Sequence, residues 1–324
     1  MGNCTLEEIA KRLQSAKSVV IFTHMRPDGD AFGSALSLSR ALDYLGVRNE
    51  VCVESDVPSN LAFIDGVEKV KKQPTNEYDL LVSVDCSDVQ RFGALSDEFI
   101  RATRKKIDTV NIDHHISNPR FAKYNYVREC SANCMNVANL ITYLGAPFDK
   151  KTAEYLLIGL LTDSGAFSHD DVNRETLELA GKLVEAGADI RYYHYMLFKK
   201  QSKERAKLHA TTMNGIRYFH ENRFALITIT RSMMEECGAD NGMTEGFVDF
   251  PLNVDGVEVA AAVMEVNYRQ FKISLRSKEY ADVNQIAGKF GGGGHVRAAG
   301  CMLFGELEEV IDRLSYAVSQ YLND

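Results

Sequence analysis

The chain has 324 residues, and its 37 Lys and Arg against 45 Asp and Glu give a formal net charge of −8. This length predicts about two domains, and 45% hydrophobic with 25% charged residues is ordinary for a globular protein. The composition excludes disorder, collagen and coiled coil as descriptions of the whole chain. No apolar stretch reaches the ~18 residues of a membrane span, and the acidic balance argues against holding long nucleic acid by phosphate neutralisation.

The seven cysteines are scattered and include no Cys-x-x-Cys pair. An odd number without metal-type spacing predicts neither a disulfide framework nor a zinc ribbon. A reducing, cytoplasmic location is therefore expected.

Short apolar, β-branched runs in the first half predict strands, separated by segments with helical periodicity. The runs cover residues 19–22, 51–53, 80–84 and 109–112. Strands that alternate with helices predict an α/β fold with a doubly wound, mainly parallel sheet.

The second half has a different character. Residues 189–215 are polar and helical, with five basic side chains within nine positions. Beyond them, strand-like runs followed by helical segments predict a smaller α/β domain with a mixed sheet. We therefore expect a first domain over 1–188, a helical connector over 189–215 and a second domain over 216–324.

Metal-binding side chains follow three of the predicted strands directly. They are His24, Asp28 and Asp30 after the first, Asp85 after the third, and Asp113, His114 and His115 after the fourth. Because the carboxyl ends of parallel strands line one crevice, we expect these side chains to converge. A helical segment that ends at Asp163 supplies a further carboxylate.

The donor types indicate the chemistry. Four aspartates, at 28, 30, 85 and 163, balance two divalent ions, and His24 and His114 add nitrogen donors. Carboxylate and imidazole without thiolate favour Mn²⁺, with Co²⁺ or Mg²⁺ as alternatives. Two such ions activate water for displacement at phosphorus. A lone Asp after a strand is ordinarily a helix cap, but acid and histidine clusters at three strand ends favour a metal centre.

A glycine run lies in the second half, at Gly291, Gly292, Gly293 and Gly294, with His295 directly after it. Glycines permit positive φ and let backbone N–H groups approach an anion. Arg276, at the end of a predicted strand, offers a bidentate phosphate contact. Arg276 and His295 are therefore candidate substrate-binding residues, while a flexible linker is the alternative interpretation of the glycines.

Several motifs of the chain occur in combination. They are His24-x-x-x-Asp28-x-Asp30, Asp85, Asp113-His114-His115, Gly159-x-x-x-Asp163-Ser-Gly, and Gly291 to His295 with Ala298-Ala299-Gly300. The combination resembles the DHH phosphoesterases with their DHH-associated C-terminal domain. The compact two-domain layout is most similar to the bacterial nanoRNases, which cleave short RNA and dephosphorylate 3′-phosphoadenosine 5′-phosphate.

The resemblance implies a role for each site residue. One Mn²⁺ would be held by His24, Asp28 and Asp85, and the other by Asp30, His114, Asp163 and the bridging Asp85. Asp113 would orient His114, and His115 would face the substrate phosphate or the leaving oxygen. The glycine loop, Arg276 and His295 would hold the far end of the substrate, and family analogy suggests a homodimer.

The resulting hypothesis is hydrolysis of RNA of about two to five nucleotides to mononucleotides, together with dephosphorylation of 3′-phosphoadenosine 5′-phosphate. A phosphodiesterase of cyclic or linear dinucleotides is the alternative within the same chemistry, since base identity is read by pocket shape. A catalytically silent nucleotide sensor is the alternative outside it. The polarity of degradation stays open.

Overall fold

Residues 2–322 are described by the computed structural model of the chain. The helices are α1 (Leu6–Ser15), α2 (Gly29–Tyr44), α3 (Ser96–Arg104), α4 (Asn133–Leu144), α5 (Lys150–Asp163), α6 (Arg174–Glu185), α7 (Ile190–His194), α8 (Lys203–Asn214), α9 (Arg231–Cys237), α10 (Asp249–Leu252), α11 (Val283–Gly288) and α12 (Leu307–Ser319). The strands are β1 (Ser18–Phe22), β2 (Arg48–Cys52), β3 (Leu80–Val84), β4 (Asp108–Asp113), β5 (Tyr124–Val127), β6 (Arg217–Phe219), β7 (Phe224–Ile229), β8 (Val259–Asn267), β9 (Gln270–Ser277), β10 (Gly293–His295) and β11 (Ala298–Phe304).

The first sheet has the order β2-β1-β3-β4-β5, and every pair in it is parallel. Strand β1 is apolar throughout because both of its faces are covered. Val19 and Ile21 pack into a core built with α1, α2, α4 and α5, while Val20 and Phe22 pack into a second core with α3. The predicted α/β fold with a doubly wound sheet is confirmed.

Close packing of α2 on α5 depends on small residues. A Cβ at Gly33 would lie 2.5 Å from the carbonyl oxygen of Tyr155, and one at Gly29 would lie 2.5 Å from Cγ2 of Thr162. Without glycine at these positions the two helices would have to move apart. The close approach brings the start of α2, with Asp30, beside the end of α5.

The second sheet has the order β10-β11-β9-β8-β7-β6 and is mixed, since only β7 and β8 pair in parallel. One face packs on α11 and α12. The other face is covered by α8, α9 and the region around Phe247 over β7 and β8. Further along the same face, Met302 and Phe304 are exposed. The predicted mixed sheet is confirmed.

The chain divides into two compact units, one ending at Lys200 and the other starting at Gln201. The division falls inside the predicted connector, which contains α7, a π turn over Tyr195–Lys199 and α8. The domain roles and the boundaries 1–188, 189–215 and 216–324 stay a prediction.

Within residues 2–322, no helix has the length and apolar character needed to cross a membrane.

Candidate metal centre

The candidate site lies at the carboxyl edge of the first sheet. Strand β1 runs into Thr23 and His24, β3 runs into Asp85, and β4 runs into His114. The order of the strands reverses between β1 and β3, and ligands of open α/β sheets bind at such switch points. The fold therefore brings these three strand ends together, as the sequence predicts.

One triad of possible ligands comprises His24, Asp28 and Asp85, whose donor atoms all lie within 4.8 Å of one another. His24 Nε2 is 3.7 Å from Asp28 Oδ2 and 3.5 Å from Asp85 Oδ2. Asp28 is also the N-cap of α2, where its Oδ1 accepts a hydrogen bond from the N–H of Ala31. Asp28 thus caps the helix with Oδ1 and presents Oδ2 as a possible metal ligand.

A second triad comprises Asp30, His114 and Asp163, again with donor atoms within 4.8 Å. His114 Nε2 is 3.4 Å from Asp163 Oδ2 and 3.4 Å from Asp85 Oδ1. Asp85 therefore presents Oδ2 to the first triad and Oδ1 to the second. A carboxylate shared in this way suits two neighbouring cations.

Hydrogen bonds determine which ring nitrogen of each triad histidine faces the carboxylates. Nδ1 of His24 is 3.0 Å from the carbonyl oxygen of Met25, and Nδ1 of His114 is 2.9 Å from that of Cys130. A carbonyl only accepts, so each Nδ1 carries a proton. In the neutral rings the Nε2 lone pairs then face carboxylate oxygens, and a cation between them relieves the repulsion.

Asp85 provides a second indication of a cation. Its side chain is buried, and within residues 2–322 its Oδ1 makes no hydrogen bond. A buried carboxylate oxygen without a donor is costly. Because the triads offer oxygen and imidazole nitrogen and no sulfur, the site fits a divalent metal ion.

The crowded carboxylates and histidines have shifted pKa values. Burial, followed by the charge of Asp85, raises the pKa of Asp30 to about 7. Burial, followed by the charges of Asp30 and Asp85, raises the pKa of Asp163 to about 10. Burial acts to lower the pKa of His24, but Asp28 and Asp85 outweigh it and raise the value to about 10. Without a cation the crevice therefore retains protons, and bound cations would take their place.

The start of α4 holds Asp30 in place. Its Oδ1 accepts a hydrogen bond from the N–H of Cys134 at 2.9 Å, and its Oδ2 accepts one from the N–H of Asn133 at 2.5 Å. These are N–H groups that a helix start leaves without internal partners. Gly159 of α5 faces the same carboxylate, since a Cβ there would lie 2.6 Å from Asp30 Oδ1. Gly159 thus lets the backbone of α5 approach the Asp30 carboxylate closely. Four residues later, about one helical turn, Asp163 adds its own carboxylate to the site.

Asp113 and His115 form a pair beside the triads. Nδ1 of His115 lies 2.8 Å from Asp113 Oδ1, whereas the carbonyl of Cys130 orients His114. The prediction that Asp113 orients His114 is therefore wrong, because alternate residues at a strand end share a face and adjacent residues do not. Asn118 donates to Asp113 Oδ2 at 2.6 Å. With Nδ1 bonded to Asp113, Nε2 is the nitrogen of His115 left for a substrate.

In the second unit, Arg276 and His295 lie on one face of the sheet. Ala298 of β11 lies directly opposite both residues. It faces Arg276 in the β9–β11 pair and His295 in the β10–β11 pair. Opposite residues of antiparallel strands share a face, and two strand spacings separate Arg276 from His295 by about 10 Å. Arg276 Nε lies 3.6 Å from Asp249 Oδ1, and His295 is exposed. Arg276 and His295, the two predicted substrate-binding residues, therefore flank the small side chain of Ala298.

The glycine loop differs from the predicted anion cradle. The N–H groups of Gly291 and Gly292 donate to the carbonyls of Gly288 and Ala287, and that of Gly294 donates to the side chain of Asn284. These three N–H groups therefore already have hydrogen-bond acceptors within the protein. Glycine is required here for close packing instead, since a Cβ at Gly292 would lie 2.2 Å from the carbonyl oxygen of Gly300. The prediction that Gly291, Gly292 and Gly294 hold an anion through their N–H groups is therefore wrong.

Comparison with known proteins identifies the family. The family model described as DHH family, N-terminal domain, matches residues 18–160, and the DHHA1 domain matches 226–324. The bifunctional oligoribonuclease and PAP phosphatase NrnA of Thermus thermophilus is 32% identical over 315 residues, which cover 94% of this chain and 90% of that protein. The chain belongs to the DHH family of phosphoesterases. It is therefore a hydrolase of phosphate esters.

Two further matches extend over nearly the full length of this DHH protein. The bifunctional oligoribonuclease and PAP phosphatase NrnA of Bacillus subtilis is 24% identical over 307 residues, covering 92% of this chain and 93% of that protein. The crystal structure of an exopolyphosphatase-related protein from Bacteroides fragilis superposes with a TM-score of 0.87 at 27% identity. That match covers 98% of this chain and 96% of the other.

Sequence reasoning missed two side chains of the DHH site. Asn118 lies three residues after the Asp-His-His motif, and a short polar residue there is ordinarily interpreted as a turn former. Arg91 lies six residues after Asp85, and its Nη1 is 3.5 Å from Nε2 of His115. No periodicity marks either residue, because their partners become neighbours only when the loops fold.

Proposed function

We propose that this DHH protein hydrolyses RNA of about two to five nucleotides to mononucleotides and removes the 3′-phosphate of 3′-phosphoadenosine 5′-phosphate. The observation that carries the proposal is the pair of triads with Asp85 between them, one oxygen toward each. The substrates are those in the names of the two NrnA relatives, which the chain matches over nearly its full length.

Two divalent ions, Mn²⁺ by the donor set, form part of the proposal. His24, Asp28 and Asp85 would hold one, and Asp30, His114, Asp163 and Asp85 would hold the other. Such ions, when bound, lower the pKa of water and stabilise charge on phosphate oxygens.

Side chains and backbone carbonyls of the protein have specific roles in this proposal. Asp113 fixes Nδ1 of His115, so Nε2 is the atom that exchanges a proton with the leaving oxygen. The carbonyls of Met25 and Cys130 hold the two triad imidazoles in the tautomer that ligands need.

The second unit is proposed to bind substrate through Arg276, His295 and the open surface left by the glycine run. The small Ala298 between the two side chains leaves room for a phosphate or sugar. A homodimer and a cytoplasmic location complete the proposal. The seven cysteines are free thiols, which supports a reducing compartment.

A matched hydrolysis assay tests the proposal. End-labelled RNA of about two, five and twenty-four nucleotides, 3′-phosphoadenosine 5′-phosphate and cyclic di-AMP are each offered with Mn²⁺, Mg²⁺ or a chelator. We expect metal-dependent release of mononucleotides from the two shortest RNAs and cleavage of the bisphosphate, with Asp255→Asn, a surface change in the second unit, behaving as wild type. Preference for cyclic di-AMP or for the longest RNA would contradict the proposed substrates.

A further inference from the structure

One arginine of the first unit lies beside the metal centre without an assigned task. Arg91 belongs to the 3₁₀ segment Val89–Leu95 and is partly buried. Its Nη1 is 3.3 Å from Oγ of Ser87 and 3.5 Å from Nε2 of His115. The guanidinium therefore contacts the nitrogen of His115 that is left for a substrate.

The guanidinium has no carboxylate partner. Within the described part of the chain, residues 2–322, its side-chain hydrogen bonds go only to the neutral hydroxyl of Ser87 and the ring of His115. Other arginines of this unit, such as Arg40 and Arg128, are paired with Asp149 and Glu175. A partly buried cation without a carboxylate partner is matched by an anion that arrives with a ligand, and the planar fork of arginine suits phosphate oxygens.

We infer that Arg91 contacts a non-bridging oxygen of the scissile phosphate, next to His115, and stabilises the negative charge that develops there. The inference rests on the proposed function, because it takes a phosphate ester as the ligand of this site. Arg91 and His115 then border the same phosphate: the guanidinium donates to an equatorial oxygen, and Nε2 of His115 serves the leaving oxygen.

The backbone of Arg91 has a separate structural role that a side-chain variant leaves intact. Its carbonyl oxygen accepts a hydrogen bond from the N–H of Met25 at 2.6 Å, which ties the loop after β3 to the loop after β1. Arg91→Gln removes the charge and keeps that bond. Arg104, exposed on α3, provides the matched control Arg104→Gln with the same change of charge.

The test compares wild type, Arg91→Gln, Arg91→Lys and Arg104→Gln in kcat/KM on 3′-phosphoadenosine 5′-phosphate and on a dinucleotide, with Mn²⁺ affinity measured in parallel. We expect Arg91→Gln to lose roughly 10²- to 10³-fold in kcat/KM, the usual effect of removing one donor to a developing oxyanion. Arg91→Lys should fall between this variant and wild type, and Arg104→Gln should match wild type. Mn²⁺ affinity and thermal unfolding should stay at wild-type values in all variants.

A chemical-rescue arm separates phosphate contact from a merely structural role. Added guanidinium ion should restore part of the activity of Arg91→Ala and leave the control unchanged. If Arg91→Gln keeps activity within threefold of wild type, or loses Mn²⁺ affinity in step with activity, the inference is wrong.

The design also separates this inference from the proposed function. If wild type cleaves neither RNA nor the bisphosphate, the proposed substrates fail. The role of Arg91 is then measured by calorimetric binding of AMP and inorganic phosphate in the presence of Mn²⁺. At least a tenfold weaker affinity in Arg91→Gln supports the inference, and equal affinity contradicts it.

Discussion

The two units of this DHH protein hold their functional side chains differently. In the first unit, Asp30 and Asp85 are buried, and backbone groups fix Asp30, His24 and His114. In the second unit, His295 and Phe304 are exposed on an open sheet face. A site that organises charge for chemistry has to be rigid and preorganised, whereas the surface that we propose to bind substrate does not require the same rigidity.

The largest effect should follow from the carboxylate of Asp85, which lies between the two triads. Asp85→Asn removes the single negative charge that lies between the two triads while keeping the side-chain shape, so we expect kcat/KM to fall by roughly 10³-fold or more. Steady-state kinetics with Mn²⁺ on 3′-phosphoadenosine 5′-phosphate checks this, with Asp255→Asn as the control. Activity near the wild-type level would show that Asp85 is not part of the catalytic centre.

The rigidity of the first unit can be tested through its close packing. A Cβ at Gly159 would lie 2.2 Å from Cys134 Sγ and 2.6 Å from Asp30 Oδ1, so we expect Gly159→Ala to cost about 1–3 kcal/mol in urea unfolding and to weaken Mn²⁺ binding. Gly181 also lies inside a helix, but a Cβ added there would have no neighbouring atom within 4 Å. Gly181→Ala should gain up to about 1 kcal/mol from helix propensity. Equal effects in the two variants would contradict the packing argument.

The pKa shifts predict how pH acts on protein stripped by a chelator. The pKa values of Asp30 and Asp163 are raised from 3.8 to about 7 and about 10, and those of His24 and His114 are raised from 6.5 to about 10 and about 11. For a raised pKa the stabilising contribution is present below the unfolded value and is lost as pH rises through the folded value. Stripped protein should therefore lose thermal stability between pH 6 and 9.

Divalent ions bound at the triads would displace these protons, so we expect the rise in Tm caused by Mn²⁺ to increase over the same pH range. For each additional proton that the folded chain binds relative to the unfolded chain, the free energy of unfolding falls by about 1.4 kcal/mol per unit rise in pH. Thermal melts with Mn²⁺ or chelator at pH 6 and pH 8.5 measure both effects. A metal-induced shift that shrinks with pH would contradict the assignment of these groups as ligands.

The smallest effect should come from the open face of the second unit. We expect Arg276→Gln and His295→Ala each to raise KM about tenfold, the loss of one charge-assisted hydrogen bond, with kcat changed little. Lys272→Gln, on a neighbouring exposed position of β9, is the control. A loss in kcat equal to that of Asp85→Asn would place these residues with the chemistry rather than with binding.

The fold and the grouping of the candidate ligands at one sheet edge were predictable because both follow from local patterns. Apolar runs predict the parallel strands, and the residues directly after them, such as His24 and Asp85, have to lie at one sheet edge. Arg91 and the carbonyl of Cys130 could not be predicted, because loops from distant parts of the chain bring them to the site. The glycine loop was misinterpreted for a related reason: tight backbone packing and an anion cradle require the same residue type.

We propose that the two triads hold two divalent ions, with Asp85 between them. Metal content and calorimetric titration with Mn²⁺, on wild type and on His24→Ala and Asp163→Asn, test it most directly. We expect two ions per chain in wild type and the loss of one ion in each variant, from different triads. A single ion in wild type, or both ions retained in the variants, would contradict it.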